Sequence, residues 1–119
     1  MVVAVLGASN KADRYSYKAL KMLQEHGHEP LPIHPKLKEI EGATVYCNLT
    51  AIDKEVHTLT MYVGPARSAT MVDDILALGA KRVIFNPGTE NSELQDKLRQ
   101  HGVEVLEACT LVMLSTGTF

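Results

Sequence analysis

The chain has 119 residues, 45% of them hydrophobic and 22% charged, with a formal net charge of −2 at neutral pH. That length suits a single domain, 1–119, with one core and no second catalytic lobe, and the charge balance excludes the broad basic field that nucleic-acid binding requires. No apolar run approaches membrane-spanning length, and a strand beginning at Val2 leaves no room for a secretory leader, so the expectation is a cytoplasmic protein that meets neither membrane nor nucleic acid.

Val2 to Leu6 is five apolar residues, three of them valine, running directly into Gly7. This is the pattern of a buried strand ending in a glycine turn. A helix is expected from near Tyr15, with Ala19, Leu20 and Leu23 on its apolar face and Gly27 closing it. Leu31 to His34 follows as a short strand despite Pro30 and Pro32, so irregular pairing is expected. Lys36 to Gly42 reads as a loop or single helical turn, and Thr44 to Tyr46 as a short edge strand.

His57 to Val63 is the next strand, ended by Gly64-Pro65. Pro65 opens a helix whose Ala69, Val72, Ile75 and Leu76 form an apolar face stopped by Gly79. Arg82 to Phe85 is a strand with the turn Asn86-Pro87-Gly88-Thr89 at its end. Ser92 with Gln95 reads as a capping box for a helix closed by Gly102. Val103 to Leu106 is the last strand, Cys109 to Leu114 packs as a final helix or strand, and Ser115 to Phe119 is expected to fray.

Glycines 27, 79 and 102 each end a helix just before a strand. That rhythm marks a parallel sheet built from right-handed crossovers, an α/β, doubly wound, mainly parallel five-stranded sheet with order 3-2-1-4-5. Ligands of such sheets bind outside the carboxyl ends of the strands, beside the order reversal. The loops there are Gly7 to Ser16, His34 to Lys38, Gly64 to Arg67, Asn86 to Asn91 and the segment from Glu107. The first two carry Lys11, Arg14, His34, Lys36 and Lys38, a local cationic excess suited to a phosphorylated, nucleotide-like small molecule.

The chemistry of the ligand is narrowed by what is missing. The GxGxxG fingerprint keeps only Gly7, its later positions being Ser9 and Ala12, and no GxxxxGK[ST] pattern is present. Where an NAD site places a carboxylate at the end of the second strand, this chain has His34-Pro35-Lys36, which suits a phosphorylated ribose as in NADP or coenzyme A. Cys47 and Cys109 are isolated thiols without CxxC spacing, and the five histidines are scattered, so no metal site is expected.

Gly7-Ala8-Ser9 with Arg14 and Ser16 downstream, Pro32 to Lys36, Gly42 with Tyr46, Gly79-Ala80-Lys81 and Cys109 together resemble the small stand-alone CoA-binding domain proteins. That family is Rossmann-like and similar to the nucleotide-binding domain of the succinyl-CoA synthetase α subunit. The resemblance implies that Gly7, Ala8, Ser9 and the loop through Lys11, Arg14 and Ser16 hold a pyrophosphate. It also implies that His34, Pro35 and Lys36 lie along the adenosine and its 3′-phosphate, and that Tyr62 to Pro65 border the adenine or pantetheine. His34 stands where the family has asparagine, and the family's basic ending after the cysteine is replaced by Thr110 to Phe119.

No acid, base or nucleophile pair stands in a recognised catalytic arrangement, which favours a module that binds coenzyme A or an acyl-CoA without chemistry of its own. The alternative is an NADP-dependent oxidoreductase or an acyl-transfer component. A partner protein or a homo-oligomer stays open. A side chain at Gly7 is expected to block the approach of the phosphate.

Overall fold

The computed structural model describes residues 1–119. In chain order the elements are β1 (Val2–Leu6), α1 (Tyr15–Glu25), β2 (Glu29–Ile33), β3 (Glu39–Ile40), β4 (Ala43–Thr44) and, after a 3-10 turn at Leu49–Ala51, β5 (Thr58–Met61). Then come α2 (Pro65–Ser68), α3 (Val72–Leu78), β6 (Arg82–Phe85), α4 (Ser92–Gln100), β7 (Glu104–Glu107) and α5 (Thr110–Ser115).

The main sheet is five-stranded and parallel throughout, in the order β2-β1-β5-β6-β7. Tyr46, in the segment expected as the third strand, adds a parallel bridge to Ile33 outside β2. The expected order 3-2-1-4-5 is met in this way, with the third member reduced to a bridge and β7 added at the far edge. β1 is interior because every one of its residues is apolar, and Val3, Ala4 and Val5 are fully buried. A strand covered on both faces needs no polar alternation.

Helices cover both faces. On one, Val3 and Val5 pack with Leu20 and Leu23 of α1 and Leu114 of α5. On the other, Ala4, Leu6, Leu59, Met61, Val83 and Phe85 meet Ile75 of α3 and Leu94 and Leu98 of α4. The doubly wound, Rossmann-like arrangement follows from this split, and it sends the carboxyl ends of all five strands to one edge.

Three helices end in the same device. After α1, the N–H groups of Gly27 and His28 donate to the carbonyls of Gln24 and Leu23. After α4, Gly102 and Val103 repeat this on Arg99 and Leu98, and after α5, Gly117 and Thr118 repeat it on Leu114 and Met113. These paired bonds require a left-handed residue, and the φ angles of Gly27, Gly102 and Gly117 are 79°, 78° and 74°.

Several local expectations are corrected. Lys36 to Gly42 is not a helical turn: Glu39 and Ile40 pair antiparallel with Thr44 and Ala43 around a bend at Glu41-Gly42, both at positive φ. β2 pairs regularly with β1 over five positions, because proline's missing N–H is tolerated where the opposite neighbour contributes little more than the Tyr46 bridge. The helix opened by Pro65 breaks into α2 and α3 around Thr70. Asn91, not Ser92, caps α4. Its side-chain oxygen accepts from the Leu94 N–H at 3.2 Å, and its own N–H donates to Gln95 Oε1 at 2.8 Å.

The tail does not fray. The turn at Gly117 returns the chain onto the sheet, where the Phe119 ring lies 4.5 Å from the guanidinium of buried Arg82 and 5.1 Å from the His28 ring.

Candidate functional site

Four strand ends and the loops after them enclose a cleft of about 590 Å³ at the carboxyl edge of the sheet, over the reversal between β1 and β5. Its walls come from the β1 turn with the start of α1, the end of β2, the β5–α2 loop, and the turn after β6. A smaller depression of about 380 Å³ lies between α3 and α4, walled by Asp73, Asp74, Glu93 and Lys97. Its acidic lining and its place away from the strand ends make it a poor host for phosphate.

Gly7 is the pivot of the first wall. Its φ of 89° is open to glycine and strained for other residues, and a Cβ there would stand 2.8 Å from the Tyr62 carbonyl oxygen and 3.0 Å from Val63 Cγ1. A side chain at Gly7 would strike the segment that follows β5, a packing conflict that stands whether or not a ligand is present. Ala8 is buried and spends its N–H on the Ile33 carbonyl at 3.2 Å, so it shapes the floor without offering a donor. Ser9 accepts the Lys11 N–H on Oγ at 3.0 Å and the Arg14 N–H donates to the Lys11 carbonyl at 3.0 Å, folding the loop into two tight turns.

α1 then starts at Tyr15 with no side-chain cap from Arg14. Its first-turn N–H groups have no partner within the helix, and Tyr15 and buried Ser16, which carry two of them, line the cleft. The positive end of the helix dipole lies behind these donors.

At the end of β2, half-buried His34 lines the cleft and turns its ring back on the chain. Nδ1 accepts the backbone N–H groups of Lys36 at 3.0 Å and Leu37 at 3.1 Å. Pro35 is exposed and lines the rim; Lys36 is exposed and stands outside the lining residues.

The third wall holds Tyr62 and Gly64. Tyr62 packs against the α1/α5 core, and burial pushes its phenol up to about 12, with the hydroxyls of Thr110 and Thr60 acting the other way. Pro65 is exposed, occupies the first turn of α2 and is outside the lining.

The structure therefore brings together Gly7, Ala8, Ser9, Lys11, Arg14, Ser16, His34, Pro35 and Tyr62, and leaves Lys36 and Pro65 at or beyond the rim. The residue choice made from sequence missed the strand-end residues Leu6 and Ile33, together with Asn10, Tyr15, Arg67 and the turn Pro87 to Thr89. Arg67 lies in α2, within the Gly64 to Arg67 segment already marked by position, so its charge was a usable signal.

The turn after β6 is held by Asn86, which is 3% exposed. Its amide nitrogen donates to Thr60 Oγ1 at 2.7 Å and to the Met61 carbonyl at 2.8 Å, while its side-chain oxygen accepts the Thr110 N–H at 2.8 Å. Thr89 donates its hydroxyl back to the Asn86 carbonyl at 2.7 Å. One side chain thus ties β5, β6 and the start of α5 beneath the cleft.

The electrostatics are one-signed. Lys11, Arg14 and Arg67 line the cleft and no Asp or Glu does, in a chain whose net charge is −2. Half-buried Cys109 begins α5 without capping it and lies outside the lining; Cys47 is exposed.

This fold recurs in known proteins. A crystal structure of an uncharacterized protein superposes with a TM-score of 0.85 at 41% identity, over 99% of this chain and 97% of that one. The Bacillus subtilis (strain 168) protein YneT is 25% identical over 104 residues, covering 87% of this chain and 77% of YneT. The dinucleotide-forming acetyl-coenzyme A synthetase 1 of Ca. Korarchaeum cryptofilum shares the fold, with a TM-score of 0.77 at 22% identity over 90% of this chain but 25% of that one. Residues 1–115 match the family model described as CoA binding domain, and the chain belongs to that family.

Proposed function

We propose that the carboxyl-edge cleft binds coenzyme A or an acyl-CoA and that the protein acts as a binding or regulatory module without catalysis of its own. The observation that carries this reading is the cleft's lining, with three cations and no carboxylate in a net-acidic chain. Bound carboxylates would repel a ligand with several phosphate charges, and cations around uncapped helix N–H groups attract one.

In this reading the pyrophosphate lies over the Gly7 turn against Ser9, Arg14 and the first N–H groups of α1. The adenosine and its 3′-phosphate extend toward His34, Pro35 and Lys36. The pantetheine arm passes Tyr62 and Pro65 toward the turn at Pro87 to Thr89. Membership of the CoA binding domain family supports the ligand class, as does a fold shared with an enzyme whose name includes acetyl-coenzyme A.

Ligand retained through purification tests this directly. Acid denaturation followed by mass spectrometry is expected to release CoA or an acyl-CoA, and the emptied protein to take up CoA near one equivalent. Release of NADP would move the assignment to a dehydrogenase-type site.

A further inference from the structure

The ring of His34 is held in one orientation and, as the neutral imidazole, in one tautomer by its own chain. Its Nδ1 faces two backbone N–H groups, those of Lys36 and Leu37, at 3.0 and 3.1 Å. A neutral imidazole has one acceptor nitrogen and one donor nitrogen. A proton on Nδ1 would set three N–H groups against one another, and a flipped ring would present C–H to both amides. The arrangement is satisfied only with Nδ1 bare and the proton on Nε2.

We propose that His34 is a positioning residue for the cleft, with Nδ1 fixing the turn that carries Lys36 and Nε2–H serving as a donor to an oxygen of the ligand's phosphorylated ribose. The donor role rests on the reading of the cleft as a CoA site; the turn role does not. A carboxylate at the end of β2 would accept hydrogen bonds from free ribose hydroxyls. Nε2–H offers the opposite polarity and suits the acceptor oxygens of a phosphate. His34 is half-buried and lines the cleft, so the nitrogen left over from the turn is the one ring group it can offer a ligand. Pro35 helps by fixing its own φ in the middle of the turn, so the loop gives up little freedom when Nδ1 closes it.

Asparagine separates the two roles. Its side-chain oxygen sits on Cγ as Nδ1 does, so His34→Asn keeps an acceptor for the two amides and removes the distal donor, while His34→Ala removes both.

The test has an arm without ligand and an arm with CoA. In the ligand-free wild type, long-range proton–nitrogen spectra are expected to show His34 with Nδ1 unprotonated and Nε2 protonated. Hydrogen exchange at Lys36 and Leu37 is expected to stay slow in His34→Asn and to become fast in His34→Ala. With CoA as the probe, His34→Asn is expected to bind roughly three- to tenfold more weakly than wild type, and His34→Ala more weakly still.

A protonated Nδ1, or unchanged exchange at both amides in His34→Ala, would overturn the turn role. Full CoA affinity in His34→Asn would overturn the donor role. Failure of wild type itself to bind CoA, with the tautomer and exchange results as expected, would instead refute the reading of the cleft as a CoA site and the donor role with it, leaving the turn role standing.

Discussion

A Cβ placed on Gly7 would stand 2.8 Å from the carbonyl oxygen of Tyr62. The turn that walls the cleft is therefore also packed against the segment that follows β5, and one residue shapes both. Gly7→Val is expected to lower unfolding free energy by at least about 2 kcal/mol, since overpacking and a strained positive φ add. Urea denaturation measures this. A variant as stable as wild type would mean that the two segments separate freely.

Asn86 is the second shared point. Truncation to alanine removes three hydrogen bonds made by its side chain and leaves the Thr110 N–H buried without its acceptor. Asn86→Ala is expected to cost about 2–4 kcal/mol and to speed hydrogen exchange at Thr110 ahead of the rest of the sheet. Equal stability would remove Asn86 from the account of how the cleft floor is held.

Tyr62 gives the fold an alkaline limit. Burial raises its phenol in the folded state to about 12, above the ordinary value of 10.0. Its contribution is fully present below pH 10 and is lost as the pH rises toward 12, because there the unfolded chain releases the proton that the folded chain keeps. The loss is on the order of 2 kcal/mol. Unfolding curves at pH 9 and 11 are expected to differ more for wild type than for Tyr62→Phe.

Lys36 lies outside the residues lining the cleft, yet its backbone is tied to His34. If its side chain reaches the 3′-phosphate, Lys36→Ala should lose on the order of 1.5–3 kcal/mol toward CoA and much less toward dephospho-CoA, which lacks that phosphate. Wild type is expected to prefer CoA, the variant to bind the two nearly alike, and salt to erode the preference of wild type. Equal weakening toward both ligands would take the lysine away from the 3′-phosphate.

The parts of the fold legible in sequence were those written in local pattern. The apolar run Val2 to Leu6 announced a central strand, and glycines 27, 79 and 102 marked helix ends because positive φ is a local demand. The features missed depend on partners far along the chain. Asn86 looked like a turn residue because Thr60 and Thr110 are 26 and 24 positions away. Asn91 and Ser92 are equally able to cap, and Gln95 chose between them by reaching the Asn91 N–H. Phe119 appeared to be a loose end until Arg82 gave it a surface to cover. In the site, the cationic loops were visible from position alone, but whether Lys36 or Arg67 entered the cleft depended on how the loops fold.

The central claim is that the cleft is a CoA site, and calorimetric titration of the ligand-emptied wild-type protein with CoA and, separately, with NADP tests it most directly. The account predicts one CoA per chain, with NADP bound more weakly, and CoA affinity lowered about 1–2 kcal/mol by Arg14→Ala or Arg67→Ala at low salt. No heat with CoA, or tighter binding of NADP than of CoA, would contradict it.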